Sequence, residues 1–203
     1  MSAVTVPHEA GQHGSAGSTG MSNAKLGMWV FLASECLLFG GLIATYLLYS
    51  DNIGEGELGP ETLFDIPFTS VTSFVLLMSS LTMVLSLSAI QRADYRRFKI
   101  WIVATAFLGA LFIACQVYEF TVFYSEGLGY TTNLFGSAFY TLTGFHGVHV
   151  SVGILMLMTL LVLHSRGKLN TENSETVEIV GLYWHFVDIV WILIFTVVYL
   201  FPQ

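Results

Sequence analysis

Polar and apolar positions along the chain fall into long blocks rather than short alternations. Five apolar stretches run over Leu26–Tyr49, Phe68–Ile90, Ile100–Phe123, Gly136–Leu163 and Val180–Phe201. Each can cross roughly 30 Å of hydrocarbon at a rise of about 1.5 Å per residue. None shows the period-2 alternation of a barrel strand, and open strands would leave backbone groups unpaired in lipid. The pattern predicts an all-α fold: an integral membrane bundle of five transmembrane helices over residues 25–203, with no internal repeat and no second domain. Residues 1–24 read as a mobile polar tail, rich in Gly, Ser and Thr and carrying His8 and His13. That tail has neither the cationic start nor the apolar core of a signal peptide.

Composition agrees with this reading. The chain is 54% hydrophobic and only 10% charged, whereas a soluble domain carries about 25% charged residues. The bilayer is therefore the expected solvent. Cys36 and Cys115 both lie inside apolar stretches, which suits small hydrophobes rather than a disulfide framework. A net charge of −7 without any basic run argues against nucleic acid as a partner.

The charges also orient the bundle. Lys25 precedes the first stretch, Arg92, Arg96, Arg97 and Lys99 fill the second connection, and Arg166 and Lys168 lie in the fourth. All seven cations thus fall on one side of a five-span topology. The other side carries Asp51, Glu55, Glu57, Glu61, Asp65 and Glu126 and no cation. The positive-inside rule places the N-terminus in the cytoplasm and Gln203 outside. A missed or extra helix would destroy this sorting.

Within the spans, a few polar residues stand where they are costly. An ionised carboxylate at a helix centre costs about 2.5–3.5 kcal/mol on insertion scales, so such groups face a partner or a cavity. Glu35, some ten residues into the first stretch, is expected to be neutral or paired with a histidine of another helix. Glu119 lies near the outer end of the third stretch, on one face with Gln116 and within reach of the interface. His146 and His149 share a face of the fourth stretch with Gly153. Histidines at this spacing can chelate a metal, with Glu35 and Glu119 as candidate further ligands. The lack of any Glu-x-x-His pair and the neighbouring glycines favour close helix packing instead. In the last stretch His185 and Asp188 stand one turn apart, in the first two turns after the loop, where the Asp could orient the imidazole. Tyr183 and Trp184 beside them look like interface anchors.

These segments carry a resemblance. Tyr183-Trp184-His185-Phe186-Val187-Asp188-Ile189-Val190-Trp191 is similar to the closing-helix signature of cytochrome c oxidase subunit III. Gly144-Phe145-His146-Gly147-Val148-His149-Val150 resembles that family's penultimate-helix motif. Ser34-Glu35 with Leu38-Phe39 resembles the helix holding its buried glutamate, and Gln116-Val117-Tyr118-Glu119-Phe120 matches a fourth segment. The four occur in the family's order and cover nearly everything from Lys25 onward.

The resemblance implies a subunit without catalytic residues, haem, copper or any other metal site of its own. Haem and copper would belong to the partner subunits. It further implies direct packing on subunit I, with subunit II and a small subunit IV in the same complex, and bound phospholipid. Support of proton uptake and of sustained turnover in a bacterial cytoplasmic membrane would follow. Glu35, Glu119, His146, His149, His185 and Asp188 are then the buried polar, proton-responsive candidates. Arg166 is the candidate lipid-headgroup contact, because Leu163 stands where the family has its arginine. The five helices correspond to the last five of the family's seven-helix form. Quinol oxidase subunit III is the alternative, and Val187 inclines the reading toward the cytochrome c branch. A stand-alone transporter or metalloenzyme belongs to a different class. Transporters are frequently built from broken helices and repeats; here all four prolines lie outside the span cores.

Overall fold

The structure, a computed structural model, describes residues 21–50 and 65–200. Five long helices account for nearly all of them: α1 (Asn23–Ser50), α2 (Ile66–Gln91), α3 (Tyr95–Ser125), α4 (Leu134–Ser165) and α5 (Ser174–Phe195). A 3₁₀ turn at Thr171–Asn173 leads into α5, and a π-helical turn at Thr196–Leu200 continues it. Each span is long and apolar enough to cross a membrane, and the described residues contain no strand. The predicted mobile tail and the loop with Asp51, Glu55, Glu57 and Glu61 lie outside the described residues, apart from Met21 to Ala24. Of those four, Asn23 and Ala24 already belong to α1.

The apolar stretches locate every helix but begin late on each. α3 starts five residues ahead of Ile100 and α5 six ahead of Val180. The reason is that helical turns continue beyond the hydrocarbon, where charged residues are welcome. Side-chain caps fix the starts of α2, α3 and α4: Asp65 accepts from Phe68 N at 3.1 Å, Asp94 from Arg97 N at 3.1 Å, and Asn133 from Gly136 N at 2.7 Å. The early start of α5 corrects one expectation. His185 and Asp188 lie eleven and fourteen residues into that helix, in the middle of the span rather than in its first two turns.

All the cation-bearing ends meet at one end of the bundle. Lys25 at the start of α1 pairs with Glu178 of α5 at 2.5 Å, and Ser22 hydrogen-bonds Glu175. Tyr95, opening α3, meets Thr171 at 3.3 Å, and Thr171 donates to the Ile90 carbonyl at the end of α2. His164, closing α4, sits between the rings of Tyr95 and Phe98.

In a bundle whose helices are apolar all round, shape and hydrogen bonding decide which faces meet. On α2 the buried small polar residues Thr72, Ser79 and Ser86 recur every seven residues, with Ser73 beside the first. Trp184 and Trp191 of α5 have the same spacing and donate their indole N–H groups to Ser79 at 2.9 Å and Ser73 at 2.8 Å. The Trp184 ring lies in a slot made by two glycines. A Cβ on Gly109 of α3 would come within 2.5 Å of it, and one on Gly153 of α4 within 2.8 Å. Trp184 thus joins four helices. The expected interface anchors are core residues: Trp184 and Tyr183 are each only 1% exposed. Their polar tips reach Ser79 and the His149 carbonyl rather than water.

α1 is the least enclosed span. It touches α4 and α5 and buries Leu32, Phe39 and Tyr46, again seven residues apart. This narrow seam, of the kind a 3.5-residue period gives, carries Glu35 into the bundle.

Candidate functional site

Glu35 and His149 meet between α1 and α4. Glu35 Oε2 lies 3.0 Å from His149 Nε2, and the two side chains are 14% and 15% exposed. The other ring nitrogen settles the proton count. His149 Nδ1 is 2.7 Å from the Phe145 carbonyl, which can only accept, so Nδ1 carries a hydrogen. One further proton is then shared between Nε2 and Oε2, and the pair is neutral overall whichever atom holds it. Phe39, one turn beyond Glu35, packs edge-on against the His149 ring with centroids 4.9 Å apart. Tyr183 of α5 donates to the His149 carbonyl at 3.0 Å, and its ring stacks on Phe31. Phe31, Glu35 and Phe39 follow at four-residue spacing, so one stripe of α1 holds the carboxyl between two aromatic rings. The expectation of a histidine partner for Glu35 agrees with this geometry.

His146 does not share that environment. It points into the bundle, fully buried, stacked on Trp191 at 4.8 Å and flanked edge-on by Phe112 and Phe39. Neither of its nitrogens has a hydrogen-bond partner among the described residues. A three-residue step turns a helix by about 300°, leaving the two rings roughly 60° apart, and that difference sends one to α1 and the other to the core. The two histidines therefore do not converge on one point. Among the described residues no three His, Cys, Asp or Glu side chains gather as metal ligands would.

His185 and Asp188 also part company. His185 Nδ1 is 2.6 Å from Ser80 Oγ on α2. Asp188 is buried between the same helices; Ser80 lies beside it, yet neither carboxyl oxygen has a well-formed hydrogen bond among the described residues. Ser80, not Asp188, orients the imidazole. Sequence reasoning passed over Ser80 because α2 holds many serines and nothing in their order marks the one that meets His185.

Glu119 corrects a further expectation. It is buried instead of reaching the interface, accepting from Thr69 of α2 at 2.7 Å and from the Tyr199 phenol in the π-helical turn. Gln116, on the same face, donates to the Thr143 carbonyl of α4 at 2.8 Å. Arg166 caps the end of α4, exposed and without an ion-pair partner among the described residues. Val187 is buried in the bundle.

Chemically, the Glu35–His149 pair is an arrangement in which two titratable side chains from different helices share a proton within the spans. Holding that proton the pair is neutral, and giving it up leaves one negative charge on Glu35.

The sequence profile of the family described as cytochrome c oxidase subunit III matches residues 4–203. The cytochrome c oxidase subunit 3 of Bacillus sp. strain PS3 is 42% identical over 178 residues, covering 88% of this chain and 86% of the relative. A probable quinol oxidase subunit 3 of Staphylococcus saprophyticus is 40% identical over 177 residues, covering 87% and 88%. The quinol oxidase subunit 3 of Bacillus subtilis strain 168 is 38% identical over 175 residues, covering 86% and 85%.

Proposed function

Because the chain belongs to the cytochrome c oxidase subunit III family, we propose that it is the accessory third subunit of a bacterial cytochrome c oxidase, packed directly on subunit I. Subunit II and a small subunit IV complete the complex. The chain carries no haem or copper; it binds phospholipid and supports proton uptake and sustained turnover. The observation that carries this reading is the neutral Glu35–His149 pair, half-sheltered between α1 and α4. The pair keeps a small exposed edge, where a neighbouring subunit could reach its proton, and among the described residues no ligand cluster stands beside it. Glu119, His146, His185 and Asp188 serve this function as buried polar packing groups, with any proton exchange secondary to that of the pair.

Copurification tests the proposal. The tagged chain, extracted in mild detergent, is expected to bring down a haem- and copper-containing enzyme, and isolation alone would sink the reading. A quinol oxidase is the second reading, favoured by relatives that carry that name. Val187 cannot decide between them, since it contacts neighbouring helices and no donor surface. Copper-binding Cys and His residues in the copurified subunit II would identify cytochrome c as the electron donor.

The orientation is part of the proposal. The cation-bearing end, with Lys25, Arg96 and Lys168, is placed in the cytoplasm of a bacterial host. Cysteines introduced singly at Arg96 and at Glu57 report on it in intact cells. An impermeant maleimide is expected to label the Glu57 site and spare Arg96, and the reverse pattern would invert the topology. Native mass spectrometry of the subunit released from the complex is expected to give the mass of the chain plus phospholipid. Arg166 is the proposed headgroup contact, a charge-assisted one at the level where phosphates lie. A bare chain, or a chain with stoichiometric haem or metal, would count against the assignment.

A further inference from the structure

Between α3 and α4, on the side away from α1, a groove of about 330 Å³ opens toward the membrane. Its walls include Ile113 and Val117 of α3, and its floor is small: Gly144, Gly147 and Ser151 of α4. A Cβ on Gly144 would meet nothing within 4 Å. Two polar groups line this floor: the Ser151 hydroxyl, which donates to the Gly147 carbonyl at 2.8 Å, and the Gln116 amide. Gln116 is only 7% exposed, and its nitrogen is used by the Thr143 carbonyl. Its oxygen Oε1 lies over Gly147, where a Cβ would come within 2.9 Å of it, and accepts no hydrogen bond among the described residues. The missing side chain of Gly147 therefore makes room for an acceptor at the bottom of an apolar groove, and the bundle leaves that acceptor unused.

We infer that this groove is the docking surface for a transmembrane helix of a partner subunit that carries a side-chain hydrogen-bond donor received by Gln116 Oε1. The inference rests on the chain being an oxidase subunit, and on that reading the helix belongs to subunit I. Depth selects the occupant. Gln116 stands nine residues before Ser125, about 14 Å along the axis from the outer end of α3. Headgroups do not reach that level, and acyl chains have no donor. An acceptor left unmet in hydrocarbon is costly, so the fitting partner is a side chain with an N–H or O–H presented at mid-membrane by another helix. Gly144, Gly147 and Ser151 permit the close backbone approach that this needs. The exposed face of α1, headed by Leu37, offers bulk without a comparable acceptor.

The test uses the intact complex. A photoreactive benzoylphenylalanine at Val148, beside the groove, is expected to cross-link to subunit I, identified by mass spectrometry; the same probe at Leu37 is expected to react with phospholipid. Gly144→Leu starts from a Cβ that meets nothing within 4 Å, projects into the groove, and should lower recovered subunit I at least severalfold, at unchanged membrane level of the tagged chain. Gln116→Met keeps the length but removes the acceptor, together with the N–H given to Thr143, and should weaken recovery by about threefold to tenfold at unchanged membrane level of the tagged chain. A Val148 probe that reacts only with phospholipid shows an acyl chain in the groove and overturns the inference. Undiminished recovery with Gly144→Leu does the same. If the unaltered chain recovers no haem-bearing subunit, the subunit reading itself fails and takes this inference with it.

Discussion

Glu35→Gln is expected to leave assembly, haem spectra and the initial rate of oxygen reduction unchanged, while the enzyme loses activity severalfold sooner during continuous turnover. Glutamine has the same length and can donate to His149 Nε2, so the contact between α1 and α4 survives. His149 Nδ1–H goes on donating to the Phe145 carbonyl. What disappears is the second proton shared across the 3.0 Å contact. Glu35→Leu serves as the contrast. It strands the imidazole nitrogen beside Phe39 and should destabilise the subunit by about 1–3 kcal/mol, the cost of an unmet buried polar group. Oxygen consumption followed to inactivation, with haem content measured in parallel, separates proton function from packing. A Gln variant with wild-type lifetime and pH profile would reduce Glu35 to a packing residue.

A large effect on stability is expected at Gly153. Any side chain there collides with the Trp184 ring, since even a Cβ would come within 2.8 Å of it. Trp184 cannot retreat: Gly109 bounds it on α3, and its N–H is held by Ser79 on α2. Gly153→Leu should therefore destabilise the bundle by about 3 kcal/mol, at the upper end of ordinary overpacking. Gly27, on the outside of α1, provides the control. A Cβ there meets nothing within 4 Å, and Gly27→Ala should be neutral or slightly stabilising, because alanine loses less freedom in a helix. Thermal loss of the folded subunit from the detergent-solubilised complex measures both. Equal behaviour of the two variants would refute the four-helix role of Trp184.

Particular residues show how far the sequence reaches. Glu35 was legible as a residue either neutral or paired with a histidine, because a lone carboxyl ten residues into an apolar run has few other solutions in lipid. Which histidine could not be read, since His146 and His149 differ by only about 60° around α4. The placement of Tyr183 and Trp184 was misjudged for a related reason. Amphipathic aromatics suit both the membrane interface and a core that offers a hydroxyl, and Ser79 offers one 105 residues away in sequence.

By itself, then, the sequence determined the helix number, the collection of cations at one end and, through its motifs, the family. Hydropathy and charge act residue by residue against the bilayer, so the order of residues is enough to reveal them. It could not determine which faces meet, because a helix apolar on all sides has no polar face to mark its exterior. Only the tertiary structure decided that Trp184 fills a slot of two glycines, that His149 and not His146 takes Glu35, and that Gln116 keeps an unused acceptor in its groove. Those outcomes depend on shape and on hydrogen bonds between distant segments, which exist only once the five helices are packed together.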